Sequence, residues 1–240
     1  MRIAVLSDIH ANVVALEAVL AATQPVDAVW HLGDVVGYGP DPDAVIDSLR
    51  SVDAVGVRGN HDAAALGGRE IDWFNPDARA AMEWTRTRLT ARSRSWLADL
   101  PERRVDGDWT LVHGSVRDPL WEYVTSRSAA AASLRELTTR VGLHGHTHVP
   151  IAWAARDDGV TTTMPGDGRA IPIESPRVLL NPGSVGQPRD GIPTASWMIV
   201  DTEAWTATWR RVVYDVAEVQ KRMRGAGLPR RLIERLDHGV

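Results

Sequence analysis

The order of the predicted elements indicates an α/β fold in which two β-sheets pack face to face, with helices on the outer faces. Two observations lead to this fold class. In the first part of the chain, short apolar runs alternate with amphipathic stretches, which is the βαβ pattern of parallel strands. After Pro150, short strands follow one another between glycines and prolines, as in antiparallel hairpins. No repeat or low-complexity linker separates the two parts, so we expect one domain over residues 1–240.

The first part supplies three strands, each followed by polar residues. Residues 3–6, 28–32 and 53–57 are short and apolar, as buried strands are. Asn12 is placed to cap a helix after the first strand, and a second helix is expected over about residues 43–50. The repeated order of strand, acidic loop and helix predicts parallel strands.

Further along, the predicted helices are longer and the strands fewer. Helices are expected over about residues 76–92, 93–100 and 128–139, and strands over 109–113 and 141–143. The remaining strands are expected at 151–155, 160–164, 171–174, 178–180, 197–200 and 205–213. Basic helical segments follow at 216–224 and 229–236.

Composition excludes several classes of function. Hydrophobic residues make up 44% of the chain and charged residues 24%, which is typical of a soluble globular protein. A formal net charge of -4 gives no overall basic field to hold nucleic acid non-specifically. The absence of cysteine removes disulfides, thiolate zinc sites and cysteine nucleophiles, and it fits a reducing cytoplasm. We therefore expect a cytoplasmic protein with neither a signal peptide nor a membrane span.

Five short clusters of metal-binding residue types follow predicted strands. Each alone is a weak signal, because an aspartate can cap a helix and a single histidine can be a core residue. Ligands collect at the carboxyl ends of strands in open α/β sheets, so an ordered set of five indicates one metal site. The clusters are Asp8-Ile9-His10, Gly33-Asp34, Gly59-Asn60-His61-Asp62, His113 and Gly145-His146-Thr147-His148.

The residue types favour transition metals. Imidazole and carboxylate together suit Mn, Fe, Co, Ni or Zn, whereas calcium sites use oxygen ligands throughout. Asp8 and His10 are two residues apart and can address one ion. Asp34 is placed to bridge two cations. Two ions about 3.5–4 Å apart hold a shared water whose pKa falls to near neutrality.

This ordered set of motifs resembles the calcineurin-like metallophosphoesterases, from Asp8 to His148. The later Asn181-Pro182-Gly183-Ser184-Val185-Gly186-Gln187-Pro188-Arg189 resembles the bacterial phosphodiesterase branch of that family. The resemblance implies a four-layer αββα sandwich of two mixed sheets around a dinuclear centre. One ion would bind Asp8, His10, Asp34 and His148. The other would bind Asp34, Asn60, His113 and His146.

The resemblance also implies a reaction. A metal-bridging hydroxide would attack the phosphorus of a phosphodiester, or of a phosphomonoester. His61, which is not a ligand in this assignment, would donate a proton to the leaving oxygen as an imidazolium. Arg58 and Arg189 are candidates to bind phosphate oxygens, because guanidinium offers paired donors. The metals would be two divalent ions among Mn, Fe, Ni and Zn, with Mn favoured.

Three functions fit these residues. The first is a phosphodiesterase or phosphatase acting on small phosphoesters. The second is a hydrolase of dinucleoside polyphosphates or cyclic dinucleotides, for which Tyr38 and Trp121 either line a base-binding pocket or simply pack. The third is a non-catalytic scaffold on the same fold, against which the retained ligands and His61 argue. No Asp-Arg-Gly follows Asp34, which sets aside the Ser/Thr protein phosphatases. A homo-oligomer remains open.

Overall fold

The computed structural model describes residues 1–23 and 25–240 and contains two six-stranded β-sheets. In spatial order, the first sheet consists of β3 (Val55–Gly56), β2 (Ala28–His31), β1 (Arg2–Leu6), β11 (Ala195–Asp201), β12 (Thr206–Val212) and β9 (Ala170–Pro172). The second sheet consists of β4 (Arg103–Asp106), β5 (Trp109–Val112), β6 (Val141–Leu143), β10 (Val178–Asn181), β7 (Ile151–Arg156) and β8 (Gly159–Thr163).

The helices of the described residues surround these sheets. They are α1 (Val13–Thr23), α2 (Pro42–Ser51), α3 (Asn60–Ala65), α4 (Pro76–Arg88), α5 (Ala91–Asp99), α6 (Arg127–Glu136), α7 (Val216–Gly225) and α8 (Arg230–Glu234). Single-turn 3-10 helices cover Arg69–Trp73 and Arg235–Asp237. None of these helices is both long and apolar enough to span a bilayer.

Successive side chains of the central strands point to opposite faces of the sheet and pack against different layers of the fold. In β1, Ile3 and Val5 join the apolar core between the two sheets, which also contains Leu111 of β5. Leu6 faces the other way and packs with Leu16 of α1. This alternation is the two-residue period of a strand that is buried on both faces. Helices therefore cover one outer face of the first sheet.

Helix α6 covers the outer face of the second sheet. Leu134 and Leu137, at and just beyond its carboxyl end, share an apolar cluster with Trp153 of β7 and Leu179 of β10. Its amino end is capped by Ser126, whose side chain accepts a hydrogen bond from the main chain of Ala129. The molecule thus has two mixed sheets between helical layers, which confirms the predicted αββα fold class.

The later strands are shared between the sheets rather than forming one antiparallel unit. β11 pairs antiparallel with β1 and extends the first sheet. β10 pairs parallel with β6 on one side and antiparallel with β7 on the other. Side-chain periodicity indicates which face of a strand is buried, but not which strand lies beside it, so this sharing was not predicted.

One helix ends earlier than expected, and one edge strand was not expected. The helix expected over residues 76–92 ends at Arg88, because Leu89 is extended and Thr90 caps α5 by accepting from the main-chain N–H of Ser93. Strand β4 was not expected, because its four residues are exposed and carry no apolar alternation. It forms a hairpin with β5 at the edge of the second sheet.

Candidate metal centre

All seven predicted metal ligands are buried together at the carboxyl ends of β1, β2, β5 and β6 and at the start of α3. Their polar side chains would be costly to bury unless each had a partner. The ligand atoms fall into two groups in which they lie within 4.8 Å of one another. The first group is Asp8, His10, Asp34 and His148, and the second is Asp34, His113 and His146.

Asp34 belongs to both groups. Its Oδ2 lies 3.3 Å from His113 Nε2 and 3.6 Å from His10 Nε2. Asp8 Oδ1 lies 3.3 Å from His148 Nε2 on one side of the centre. The structure therefore brings together the clusters that the sequence placed at separate strand ends, with one carboxylate between the two groups.

The histidines of the first group point lone pairs at each other. His10 Nδ1 donates to the carbonyl of Val36 at 3.3 Å, and His148 Nδ1 donates to the carbonyl of Gln187 at 2.6 Å. In the neutral rings both Nε2 atoms therefore lack a hydrogen, yet they lie 3.1 Å apart. Two lone pairs at that distance repel unless a cation lies between them.

The second group is built in a similar way. His113 Nδ1 donates to the carbonyl of Leu32 at 2.8 Å, and His146 Nε2 donates to the carbonyl of Trp121 at 3.2 Å. The remaining nitrogens, His113 Nε2 and His146 Nδ1, are 3.0 Å apart. Asn60 Oδ1, another acceptor, lies 3.0 Å from His113 Nε2. This donor set fits a divalent transition metal in each group.

Two further observations support cation binding. Asp8 Oδ1 is buried and has no hydrogen-bond partner among the described residues. Five of the seven predicted ligands have positive φ, which L-residues rarely adopt and which accumulates at functional sites. They are Asp8 (53°), His10 (50°), Asp34 (51°), His146 (65°) and His148 (60°).

The glycines of the motifs allow the chain segments to approach closely. A Cβ on Gly59 would lie 2.1 Å from Asp34 Oδ1, and one on Gly145 would lie 1.9 Å from the hydroxyl oxygen of Ser7. A side chain at either position would displace the carboxylates of the centre, because the hydroxyl of Ser7 itself donates to Asp8 Oδ2. Glycine is thus needed at both positions because any larger residue would collide with these side chains.

Several buried polar residues hold the ligand loops in place. Asp62 accepts hydrogen bonds from the main-chain N–H groups of Val36 and Gly59, which ties α3 to the loop after β2. Ser184 donates to the carbonyl of Asp8 at 2.7 Å, and Asn181 donates to the carbonyl of Gly145 at 2.8 Å. Asp62 stood inside a predicted motif, but its bracing role was not predicted.

The buried charges of the centre change one another's pKa values. Burial raises the pKa of Asp8 to about 7, although His113 opposes the shift. Burial lowers the pKa of His113, but the carboxylates of Asp34 and Asp8 and the carbonyl of Leu32 together outweigh burial and raise that pKa to about 9. The pKa of Asp34 is in turn held far below its usual range by His113, against the effect of burial. Without metal, a proton on His113 thus offsets the charge of Asp34.

His61 lies beside the ligands rather than among them. Its ring centre is 4.9 Å from that of His10 and 4.4 Å from that of Tyr38. Its Nδ1 has no hydrogen-bond partner within the described part of the chain. Burial lowers the pKa of His61 to about 4, so the ring is neutral at pH 7. The sequence led us to expect an imidazolium, and its low pKa comes from an enclosed position that the motif does not reveal.

The two candidate arginines have different surroundings. Arg189 is half-buried, its main-chain N–H donates to the carbonyl of His148, and its guanidinium donates to Gln187 at 3.0 Å. Its positive charge opposes protonation of His148. Arg58 instead directs its guanidinium at Glu102, 3.3 Å away. The structure therefore places Arg189 at the centre and Arg58 in an ion pair.

Aromatic side chains form one wall of the centre. The ring of Phe74 lies 4.5 Å from that of His61, and the ring of Trp121 lies 6.1 Å from that of Phe74. Trp73 contacts Trp121 at 4.9 Å and is 71% exposed. Tyr123 stacks on the ring of His146 at 3.7 Å. Of these, only Trp121 was singled out from the sequence.

A family comparison agrees with this geometry. The model of the calcineurin-like phosphoesterase superfamily domain matches residues 1–204. The chain belongs to this superfamily. Membership places it with the phosphoesterases, which are hydrolases, and the buried aspartate and histidine clusters give it residues suited to metal binding.

Individual relatives cover the whole chain. An uncharacterized protein of Methanocaldococcus jannaschii is 33% identical over 242 residues, which cover 98% of this chain and 96% of that protein. The crystal structure of a metallophosphoesterase from Sphaerobacter thermophilus has a TM-score of 0.91 and 46% identity, covering 100% of this chain and 99% of that one. A hypothetical protein from Pyrococcus horikoshii OT3 has a TM-score of 0.84 and 23% identity, with 100% and 98% covered, and shares the fold.

Proposed function

We propose that this chain is a metal-dependent phosphoesterase that hydrolyses phosphodiester bonds, with phosphomonoesters as the alternative substrates, and that it uses two divalent transition-metal ions, with manganese favoured. The observation that supports this most strongly is the pair of ligand groups whose ring nitrogens and carboxylate oxygens converge around the shared Asp34. Asp8, His10, Asp34 and His148 would hold one ion. Asp34, Asn60, His113 and His146 would hold the other.

The side chains around the ligands have separate tasks. When bound, two cations lower the pKa of a shared water to near neutrality and neutralise charge on the phosphoryl oxygens. Arg189 is placed to donate to those oxygens, since its Nε is buried and has no acceptor among the described residues. The Nε of Arg58 is likewise buried without an acceptor among the described residues, but its guanidinium pairs with Glu102, whereas the charge of Arg189 acts on Asp8 and His148. We therefore assign phosphate binding to Arg189 alone.

His61 is proposed to donate to the leaving oxygen. Its burial beside the ligands excludes bulk water, and its Nδ1 is free of hydrogen bonds to other described residues. The neutral ring carries one N–H and can donate a hydrogen bond at pH 7. A bound phosphoryl group is negatively charged and raises the pKa of the neighbouring ring, which favours proton transfer to the leaving oxygen.

A nucleotide substrate is the second candidate. The exposed ring of Trp73 and its contact with Trp121 offer a flat aromatic surface one ring away from Phe74 and His61. Stacking of a base on an aromatic side chain contributes about 1–3 kcal/mol. A dinucleoside polyphosphate or cyclic nucleotide would then bind its base on this wall with its phosphate at the centre.

The test is a substrate panel on protein reconstituted separately with Mn, Ni, Mg and Zn. The substrates are bis-p-nitrophenyl phosphate, p-nitrophenyl phosphate, diadenosine tetraphosphate and cyclic nucleotides, and metal content is measured in parallel by elemental analysis. We expect two ions per chain and the fastest diester turnover with Mn or Ni. Two bound ions without turnover of any substrate would favour the scaffold. Fewer than two ions at saturating metal would contradict the dinuclear centre.

A further inference from the structure

The loop that connects β10 to β11 lies against one side of the metal centre. Its residues 182–189 have the sequence Pro-Gly-Ser-Val-Gly-Gln-Pro-Arg. Within the described part of the chain, its hydrogen bonds to the predicted metal ligands go to Asp8 and His148 alone. Both residues belong to the first ligand group, so the 182–189 loop supports that group and not the second.

Asp8 is held by this loop through its main chain. Its carbonyl accepts from the hydroxyl of Ser184 at 2.7 Å and from the main-chain N–H of Gly186 at 3.0 Å. The carbonyl of the preceding Ser7 accepts from the N–H of Val185 at 3.0 Å. Asp8 has a φ of 53°, which costs an L-residue free energy and persists only where neighbouring groups hold it. The three donors of the loop therefore fix the direction of the Asp8 carboxylate.

His148 is held by the same loop at two points. Its Nδ1 donates to the carbonyl of Gln187 at 2.6 Å, which leaves Nε2 directed at the centre. Its own carbonyl accepts from the N–H of Arg189 at 3.3 Å. The hydroxyl of Ser184 also accepts from the N–H of Gln187 at 2.8 Å. A single buried hydroxyl thus connects the support of Asp8 to the support of His148.

The loop packs so closely on the first-group ligands that Gly186 cannot be larger. A Cβ at this position would lie 1.8 Å from the carbonyl oxygen of Ile9 and 2.6 Å from its carbonyl carbon. Ile9 lies between Asp8 and His10 in the sequence. An alanine in place of Gly186 must therefore push the loop away from the segment that carries both ligands.

Other segments hold the second ligand group. His113 donates from Nδ1 to the carbonyl of Leu32 at 2.8 Å, and from its main-chain N–H to the carbonyl of Pro119 at 3.1 Å. The Nε2 of His146 donates to the carbonyl of Trp121 at 3.2 Å. The end of β2 and the turn before Trp121 thus support the second group, as the 182–189 loop supports the first.

We infer that the 182–189 loop positions the ligands of one ion only, so that the two ions of the centre depend on separate parts of the chain. Ser184, Gly186 and Gln187 are positioning residues for the first ion, which is the ion of the first ligand group. The two groups remain joined by the shared Asp34 and by the main-chain N–H of His146, which donates to Asp8 Oδ2 at 3.1 Å. This positioning role rests on the proposed function, since it requires two ions.

The decisive experiment compares Gly186→Ala with Gly114→Ala. A Cβ at Gly114 would lie 2.6 Å from the carbonyl oxygen of Asp118, in the turn that leads to Trp121, so this variant disturbs the second group in a matched way. We expect the wild type to retain two Mn ions per chain and each variant to retain one. Elemental analysis after dialysis measures the metal content, and circular dichroism checks the fold.

Nitrogen–proton NMR spectra of the histidine side chains identify the ion that each variant has lost. Binding of diamagnetic Zn shifts the signal of the ring nitrogen that coordinates it. Gly186→Ala should lose the coordination shifts of the first-group histidines and keep those of the second group. Gly114→Ala should show the reverse pattern. This readout reports ligand positions and does not depend on turnover.

Ser184→Ala provides a milder test, which decides the matter if Gly186→Ala does not fold. It removes one of the two donors to the Asp8 carbonyl, and should weaken binding of the first ion about 10–100-fold, as for other groups that orient a ligand. Ser175→Ala is the matched control, because its buried hydroxyl also donates to a carbonyl at 2.7 Å, that of Ala155. Ser175 precedes β10, at the opposite end of the sheet from the ligand loops, so both affinities should be unchanged. Calorimetric titration with Mn measures them.

The outcomes separate this positioning role from the proposed function. Two ions bound with wild-type affinity by Gly186→Ala and Ser184→Ala would overturn the positioning role and leave the dinuclear centre in place. Loss of both ions from a folded Gly186→Ala would also overturn it, because the two ions would then depend on the same loop. A wild type that binds fewer than two ions at saturating metal would reject the proposed centre itself.

Discussion

Each ligand histidine uses one ring nitrogen to donate to a main-chain carbonyl and directs the other at the centre. The acceptors come from three different loops, so the rings are oriented before any ion binds. Three of the rings present Nε2, whereas His146 presents Nδ1. Hydrogen bonds of this kind set the tautomer and the basicity of a metal ligand, and removing them usually costs metal affinity.

The clearest test at this scale is His61→Ala. The side chain lies beside the ligands and in neither ligand group, so in the proposed mechanism its loss removes a donor to the leaving oxygen and not a ligand. We expect kcat on bis-p-nitrophenyl phosphate to fall by roughly 10²–10⁴, as for loss of a general acid. Steady-state kinetics and elemental analysis check this.

Metal content is the control in that experiment. The variant should still bind two ions and unfold at a temperature close to that of the wild type. Loss of the bound metal from the His61→Ala variant would mean that His61 is a metal ligand, and its assignment as a proton donor only would be wrong.

The sequence was informative about these residues because of their type and order. Aspartate, histidine and asparagine at five successive strand ends predicted which side chains would meet, and the structure brings all seven together. The tautomers, the Asp62 brace and the stacking of Tyr123 on His146 depend on neighbours distant in sequence. No local pattern carries that information.

At the scale of elements, α3 is the main departure from expectation. Gly59-Asn60-His61-Asp62 has the composition of a turn, and six residues without apolar periodicity give no helical signal. The helix forms because Asp62 accepts from the main chain of Gly59, and because Asp34 Oδ1 accepts from the N–H of His61. Tertiary contacts, rather than helix propensity, stabilise so short a helix.

Gly59→Ala tests the close approach at the start of α3. A methyl group there would lie 2.1 Å from Asp34 Oδ1 and must push the shared carboxylate away. We expect the affinity for Mn to fall about 10–100-fold, as when a group that orients a ligand is lost. Metal titration followed by calorimetry measures it.

Gly225→Ala is the matched control for this substitution. A Cβ on Gly225, at the end of α7, meets no atom within 4 Å. Metal affinity should be unchanged and stability equal or higher by up to about 1 kcal/mol. Unchanged affinity in both variants would show that Gly59 does not control the position of Asp34.

At the scale of the whole molecule, both sheets combine strands from distant parts of the chain. The apolar runs and their alternation predicted two sheets with outer helices, and that architecture is confirmed. The placement of β11 beside β1, and of β10 between β6 and β7, could not be predicted. Several strands have similar lengths and apolar faces, and only the packing of the complete chain chooses among their pairings.

The pH dependence of stability should differ between metal-free and metal-loaded protein. In the metal-free fold the pKa of His113 is raised to about 9, above its ordinary value of 6.5, because Asp34, Asp8 and the carbonyl of Leu32 together outweigh burial. The stability that this proton contributes is present below about pH 6.5 and is lost as pH rises through 9. Metal replaces the proton and removes this dependence.

We therefore expect the metal-free protein to lose on the order of 2 kcal/mol of stability between pH 7 and pH 9. Mn-loaded protein should be more stable at every pH, because a ligand that binds only the folded state stabilises it. Its free energy of unfolding should change little between pH 7 and pH 9. Urea unfolding in EDTA and in excess Mn, at several pH values, measures both curves. If the free energy of unfolding of the metal-free protein stays constant or rises between pH 7 and pH 9, the assignment of a proton to His113 beside Asp34 is wrong.

The position of β10 has a consequence for biosynthesis. A nascent chain that has left the ribosome as far as His148 already carries every ligand, but not the strand that separates β6 from β7 or the Ser184 hydroxyl that holds Asp8. Its histidines and carboxylates are then exposed together without a fixed geometry, and any abundant divalent ion can enter. Accurate metallation of the proposed centre would therefore have to wait until translation has passed the loop that ends at Arg189.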